Sequence, residues 1–161
     1  MSNVRVLFVC LGNICRSPTA EGVFRSLAEA RGVADRYTID SAGTSGWHQG
    51  EPPDPRSRQE ALRHGVDIGH QRSRAVVADD FQKFDYVVAM DGANLRELRK
   101  RCPEALRSRL HRLTAFAPAL GVTDVPDPYY GGEHGFEEVY RIIEAGAAGL
   151  LDAIEQRRAA G

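Results

Sequence analysis

The chain reads as a single α/β domain with three layers, helices on both faces of a mainly parallel sheet of four strands. Three observations carry this. Short runs of β-branched and aromatic residues alternate along the chain with segments whose apolar residues recur every three or four positions. The first such run, Val4 to Val9, is apolar almost throughout, as a parallel strand buried on both faces must be. The length, 161 residues, suits one core, since domains commonly run about 100–150 residues.

Each element follows from its own residues. Val4-Arg5-Val6-Leu7-Phe8-Val9 is a strand at the centre of the sheet. Residues 18–31 place Ala20, Val23, Phe24, Leu27 and Ala28 on one helical face, with Pro18 at the first helical position and Gly32 as the stop. A second strand over Tyr37 to Ala42 completes a βαβ unit, whose crossover is expected to be right-handed. Such sheets bind ligands at the carboxyl ends of their strands, here just after Val9. A loop rich in glycine and proline, Gly43 to Pro55, precedes a helix over Arg56 to His64. Phe84 to Ala89 is the third strand, and Asp91 is the N-cap of a helix running through Arg101 and halted before Pro103. Residues 109–113 are the candidate for the fourth strand. Gly121 to Gly132 is a turn-rich loop, and residues 134–157 form a last helix with Phe136, Val139, Tyr140, Ile143, Leu150, Leu151 and Ile154 on one stripe. There are no repeats or linkers, so one domain is expected over residues 1–161.

Composition narrows the function classes. The formal net charge is −1, and the basic residues are spread along the chain, which argues against nucleic acid as a partner. The densest basic stretch, Arg96 to Arg112, also holds Glu97 and Glu104 and reads as a solvated helical face. No stretch is long and apolar enough for a membrane span or a signal peptide, so a cytosolic protein without membrane contact is expected. Three cysteines make a disulfide framework improbable, and the five histidines lack metal-ligand spacing, so neither metal nor cofactor is expected.

The chemistry lies in Cys10-Leu11-Gly12-Asn13-Ile14-Cys15-Arg16-Ser17. Five residues between Cys10 and Arg16 let the chain curl once around a tetrahedral anion, so that the N–H groups of Leu11 through Ser17 converge on its oxygens. The helix that follows adds its unpaired N–H groups and positive dipole end. Arg16 closes the ring with a planar fork, and Cys10, surrounded by donors, is expected to act as a thiolate nucleophile. The spacing alone arises easily by chance in a chain this rich in arginine; its place between a strand and a helix start gives it meaning. Asn13 tolerates the left-handed backbone that such a nest requires. Ser17 fits two roles, helix N-cap or hydroxyl partner of the thiolate. A phosphoryl-transfer catalyst also needs an acid, and Asp127, restricted by Pro126 and Pro128, is the first candidate, with Asp124 in reserve.

CLGNICRSP at Cys10 to Pro18, with Asp127-Pro128-Tyr129-Tyr130 far downstream, resembles the low-molecular-weight protein tyrosine phosphatase family. The likeness covers nearly the whole chain, through Asp40-Ser41-Ala42-Gly43-Thr44, Trp47, His70 with Arg72, and Val88-Ala89-Met90-Asp91. It implies the same three-layer fold and hydrolysis of protein phosphotyrosine through a phosphocysteine on Cys10, with Asp127 as general acid. Asp54 lies in a loop that the family does not use for acid chemistry. The resemblance also implies that Ser41 and His70 support Asn13, and that Trp47, Tyr129 and Tyr130 wall a cleft deep enough to favour phosphotyrosine over phosphoserine. Packing is the competing account of those aromatics, though paired tyrosines beside glycines are poor core material. Cys15 is either the family's reversible disulfide partner for Cys10, which would make the enzyme redox-sensitive, or a small buried filler. The partner expected is a phosphotyrosine-containing protein, and a small domain with an open cleft is compatible with a monomer.

Three rival readings remain. A thiol-relay arsenate reductase needs further cysteines near one another, and only Cys102 lies beyond the loop. Relatives that prefer phosphoarginine carry threonine at the position of Ile14, whose apolar side chain suits an aryl ring. An anion-binding module without turnover needs neither a thiolate nor an acid.

Overall fold

A computed structural model of the protein describes residues 3–129 and 133–160. The layering starts from the first strand, β1 (Val4–Cys10). Val6, Phe8 and Cys10 join one apolar cluster and Leu7 and Val9 another, so the period-two alternation of a strand sends its residues into two separate cores. β2 (Tyr37–Gly43) and β3 (Tyr86–Ala89) lie parallel to β1 on either side, and β4 (Leu110–Arg112) pairs parallel with β3. The sheet has four strands in the order β2-β1-β3-β4.

One face is covered by α1 (Arg16–Ala30) and the long α5 (Glu133–Ala160), which meet over Phe8, Phe24, Ile143 and Leu150. α2 (Pro55–Arg63) packs against both. The opposite face is covered by α3 (Asp80–Lys83) and α4 (Gly92–Arg101), through Phe81 and Leu98. Gly149 lets α5 approach the 3-10 turn Leu113–Phe116, because a Cβ there would lie 1.9 Å from the Phe116 carbonyl oxygen. Among the described residues no helix is long and apolar enough to cross a membrane.

The expected layers, strands and parallel pairing are present, with shifts at the edges. α1 begins at Arg16 instead of Pro18, and its N-cap Cys15 makes no side-chain cap bond. Ser17 therefore lies inside the helix and the N-cap role proposed for it falls away. β3 starts later than expected, because Phe84 closes α3 and Asp85 turns its carboxylate to the Arg5 N–H at 2.9 Å. Asp91 caps α4 as expected, accepting from the Asn94 N–H at 2.7 Å. The chain leaves β1 toward β2 on one side and returns to β3 on the other. That reversal opens a crevice beyond the carboxyl ends of β1 and β3, where Cys10 and Asp91 stand.

Candidate active site

The loop from Cys10 to Arg16 is held from outside by its carbonyls. The Cys10 and Leu11 carbonyls accept from the Thr44 and Ser45 N–H groups at 2.9 and 3.0 Å. The Gly12 carbonyl accepts from the Ser73 hydroxyl at 3.0 Å, and the Ile14 carbonyl from the Asp54 N–H at 2.7 Å. The Cys15 carbonyl takes the Thr19 hydroxyl at 2.8 Å. With the carbonyls turned outward, the N–H groups of Leu11, Gly12, Ile14 and Cys15 donate to no described residue, and all four residues line the same cleft. This is the arrangement of an anion nest. Gly43 makes it possible at the base, since a Cβ there would stand 2.7 Å from the Leu11 carbonyl oxygen and 3.2 Å from the Asn13 nitrogen.

Asn13 is the corner of the curl. Its φ of 58° makes it the non-glycine residue in the left-handed region among those described, as its residue type suggested. Its side-chain amide donates to Ser17 Oγ at 2.8 Å and Ser41 Oγ at 3.0 Å, and its Oδ1 accepts from the Arg74 N–H at 3.0 Å. Cys10 Sγ lies 3.0 Å from Ser17 Oγ and accepts from the Asn13 N–H at 3.3 Å. Ser17 Oγ is also 3.3 Å from the Ala42 carbonyl oxygen. Asn13 fills one lone pair of that hydroxyl, and its single proton has both the Cys10 sulfur and the Ala42 carbonyl within reach.

Arg16 is buried at 2 % exposure. Its Nη1 donates to Asp91 Oδ2 at 2.6 Å and to the Val125 carbonyl at 3.0 Å, while Nη2 lies 3.5 Å from Asp127 Oδ2. Burial alone would weaken the hold of this guanidinium on its proton, but Cys10, Asp91 and Asp127 outweigh it and the group is held more firmly charged. Cys15 goes the other way. Burial, with Asp54, Cys10 and Asp127 adding to it against a Ser57 hydrogen bond, pushes its thiol up to about 12. Asp124 stays outside the cleft lining, where its carboxylate takes the Gly92 N–H at 2.9 Å. Asp54 caps α2 and pairs with Arg56 at 2.9 Å.

The cleft is open to solvent. Ile14 is part of its lining, and Trp47, His48 and Tyr129 stand around it with Asp127. Trp47 is 76 % exposed, which is not a core position. Tyr130 lies outside the described residues. Among the described residues no group of three or more His, Cys, Asp or Glu converges as a metal site.

His70 does not take the place expected for it. It is exposed, and the neighbouring Gln71 is buried with its Oε1 3.4 Å from Ser41 Oγ and its amide donating to the Pro18 carbonyl at 3.0 Å. The Ser41 hydroxyl donates to Glu21 Oε1 at 2.9 Å. The support of Asn13 thus runs through Ser41 to Glu21 and Gln71; the segment enters the core one residue later than the resemblance suggested. Burial raises the Glu21 carboxyl above its ordinary value, against the lowering effects of Arg25 and Ser41.

Sequence reasoning also missed Asp91 as the partner of Arg16, Glu21 behind the loop and His48 at the rim. Asp91 could have been flagged by its place at the carboxyl end of β3, in the same crevice as Cys10. Glu21 sits among Ala20, Val23 and Phe24, and a charge on an apolar helix face is a signal in itself. His48 adjoins Trp47, and its ring meets Glu51 Oε2 at 3.1 Å and stands 6.3 Å from the Tyr129 ring.

A parallel sheet with a cysteine and an arginine in an anion nest at its switch point defines a class: α/β enzymes that act on phosphoryl groups. Comparison with known proteins narrows it. Residues 5–160 match the family model described as low molecular weight phosphotyrosine protein phosphatase. The chain is 47 % identical over 156 residues to a low molecular weight protein-tyrosine-phosphatase of Streptomyces coelicolor, covering 95 % of this chain and 94 % of that one. A protein tyrosine phosphatase structure from Entamoeba histolytica superposes with a TM-score of 0.94 at 41 % identity, covering 97 % of this chain and 99 % of that one. YfkJ from Bacillus subtilis superposes at 0.92 with 41 % identity and 98 % coverage of both chains. The chain belongs to the low molecular weight phosphotyrosine protein phosphatase family.

Proposed function

We propose that the protein hydrolyses protein phosphotyrosine in two steps, with Cys10 as nucleophile, Arg16 and the loop N–H groups as the phosphoryl clamp, and Asp127 as proton donor. The convergence of Cys10, Arg16 and Asp127 on one cleft carries the reading. In the first step the Cys10 sulfur attacks phosphorus, the bond to the phenolic oxygen breaks, and Asp127 gives that oxygen its proton. In the second step Asp127 takes a proton from water, the hydroxide attacks phosphorus, and the sulfur leaves as a thiolate. The Ser17 hydroxyl and the Asn13 N–H, both within hydrogen-bond distance of that sulfur, stabilise it as it leaves.

Ile14 gives an aryl ring an apolar surface, and Trp47 and Tyr129 flank it, with Tyr130 assigned to the same wall by the resemblance. The substrate is therefore a phosphotyrosine side chain presented by a protein, and the catalytic unit is the chain as one domain, residues 1–161.

Phosphate release from an aryl phosphate and a phosphotyrosine peptide, beside phosphoserine and phosphoarginine, tests this with wild type and Cys10→Ser in the absence of added metal. Turnover of the aryl esters that vanishes in Cys10→Ser is the expected result. A reduced wild type inactive on every substrate would sink the assignment, and preference for phosphoarginine would move the substrate class.

A further inference from the structure

The reading of Asp127 as proton donor leaves open what fixes its loop relative to the phosphate cradle. A chain of hydrogen bonds from the start of α2 to Asp127 bears on this. The Asp54 N–H donates to the Ile14 carbonyl at 2.7 Å, tying the start of α2 to the cradle. The Asp54 carboxylate receives the Arg56 side chain at two points, Nε to Oδ1 at 3.1 Å and Nη2 to Oδ2 at 2.9 Å. The same Nη2 donates to the Tyr129 carbonyl at 3.1 Å. In its turn the Tyr129 N–H donates to Asp127 Oδ1 at 3.1 Å.

We propose that Arg56 is a positioning residue for the proton donor, a strap that sets Asp127 over the cradle by holding the Tyr129 backbone to Asp54. The proposal rests on the assignment of Asp127 in the preceding section. Arg56 suits the role by geometry. A guanidinium can engage a carboxylate with two N–H groups and still offer a hydrogen to a carbonyl in the same plane, which an ammonium cannot do with a fixed direction. Its Cζ also lies 4.7 Å from the Phe136 ring centroid and 5.6 Å from that of Tyr129, so aromatic faces restrain the plane of the fork. Asp54 is 8 % exposed, and the N–H of Arg56 also donates to it at 2.8 Å, so the anchor end of the strap is fixed. Arg56 touches neither the sulfur nor the phosphoryl position. Its effect is confined to where Asp127 stands, hence to the step that protonates the leaving oxygen.

That confinement sets the test. Values of kcat/KM, which report transfer to Cys10, are compared for phenyl phosphate, whose leaving group needs a proton, and dinitrophenyl phosphate, whose leaving group departs without one. Arg56→Ala is expected to lose on the order of ten- to a hundredfold on phenyl phosphate, the scale of a misplaced catalytic group, with little loss on the dinitrophenyl ester. Asp127→Asn should show the same pattern more deeply, and the double variant should be no worse than Asp127→Asn alone. Arg56→Lys keeps the charge against Asp54 without the fork and should fall between wild type and Arg56→Ala. Inhibition by inorganic phosphate, which reads the cradle, should stay at the wild-type level in both Arg56 variants. Equal losses on the two esters, additive losses in the double variant, or loss of phosphate inhibition would overturn the strap while leaving Asp127 its role. An Asp127→Asn variant equally impaired on both esters would instead remove the proton-donor assignment, and the strap with it.

Discussion

Replacing Asn13 separates the two things this residue does for the cradle. Its backbone sits at a φ of 58°, a region that costs an ordinary L-residue roughly 1–2 kcal/mol. Its side chain makes hydrogen bonds at 2.8 Å to Ser17, 3.0 Å to Ser41 and 3.0 Å from the Arg74 N–H. Buried hydrogen bonds contribute about 0.5–1.5 kcal/mol each, and a buried N–H left without an acceptor costs about 1–3 kcal/mol. Asn13→Ala should therefore destabilise the protein by about 3–5 kcal/mol, a large share of the roughly 5–15 kcal/mol by which domains are stable. Asn13→Gly loses the same hydrogen bonds but not the backbone tolerance, so it should be less damaging by about 1 kcal/mol. Urea unfolding followed by far-ultraviolet circular dichroism measures both, with kcat/KM on an aryl phosphate measured in parallel. Equal stability of the Ala and Gly variants would refute the backbone argument. Both variants lying within about 0.5 kcal/mol of wild type would refute the argument from the hydrogen bonds as well.

Three other outcomes are expected. Brief iodoacetamide treatment of the folded protein at neutral pH should label Cys10 and spare Cys15, whose thiol at about 12 is almost wholly protonated there; peptide mass mapping that finds Cys15 modified first would contradict this. Asp91→Asn keeps an acceptor for the α4 cap but removes the charge 2.6 Å from Arg16, so kcat/KM should fall on the order of tenfold, and an unchanged value would mean that Val125 and Asp127 suffice to aim the guanidinium. Burial holds the Glu21 carboxyl above its ordinary value, so the native state holds the proton more tightly than the unfolded chain. Its contribution to stability is fully present below the ordinary glutamate range and is lost as pH rises through the raised value. Relative to Glu21→Gln, wild type should lose unfolding free energy on going from acid to neutral pH, and a gain would reverse the sign argued here.

The parts of the molecule legible in the sequence were those whose cause is local. β1 announced itself because a strand buried on both faces has almost no polar residue to place, and α1 and α5 because their stripes run over several turns. The cradle was legible because cysteine, asparagine and arginine each have a backbone or chemical reason to stand where they do. Edges were less legible: α3 is four residues long, too short for periodicity to show, and Phe84 looks like a strand residue while it closes that helix. The supports of the cradle could not be read at all. Whether His70 or Gln71 faces Ser41 depends on how one irregular segment enters the core, and a shift of one residue exchanges a buried side chain for an exposed one. Asp91 and Arg56 act through contacts made across the sheet and across the cleft, 75 and 73 residues from their partners, for which no local pattern exists.

The loop carries two cysteines, and they differ in what surrounds each. Cys10 ends β1 with its sulfur turned into the curl, where it takes the Asn13 N–H, lies against the Ser17 hydroxyl and interacts with the Arg16 charge. Cys15 is on the far limb, buried with Ile14 and Phe136, with the Asp54 and Asp127 carboxylates and the Arg56 guanidinium among its charged neighbours. Burial opposes a thiolate there most, the two carboxylates add to it, and the Ser57 hydroxyl is too little to offset them. A thiol kept neutral attacks slowly, so Cys15 would join Cys10 only once oxidation had made the Cys10 sulfur an electrophile, and then at a rate limited by the rarity of its own thiolate. The Asp54 carboxylate that anchors the proposed strap at α2 also adds to the burial that keeps the Cys15 thiol neutral, so neutralising Asp54 should raise the reactivity of Cys15 as it loosens Arg56.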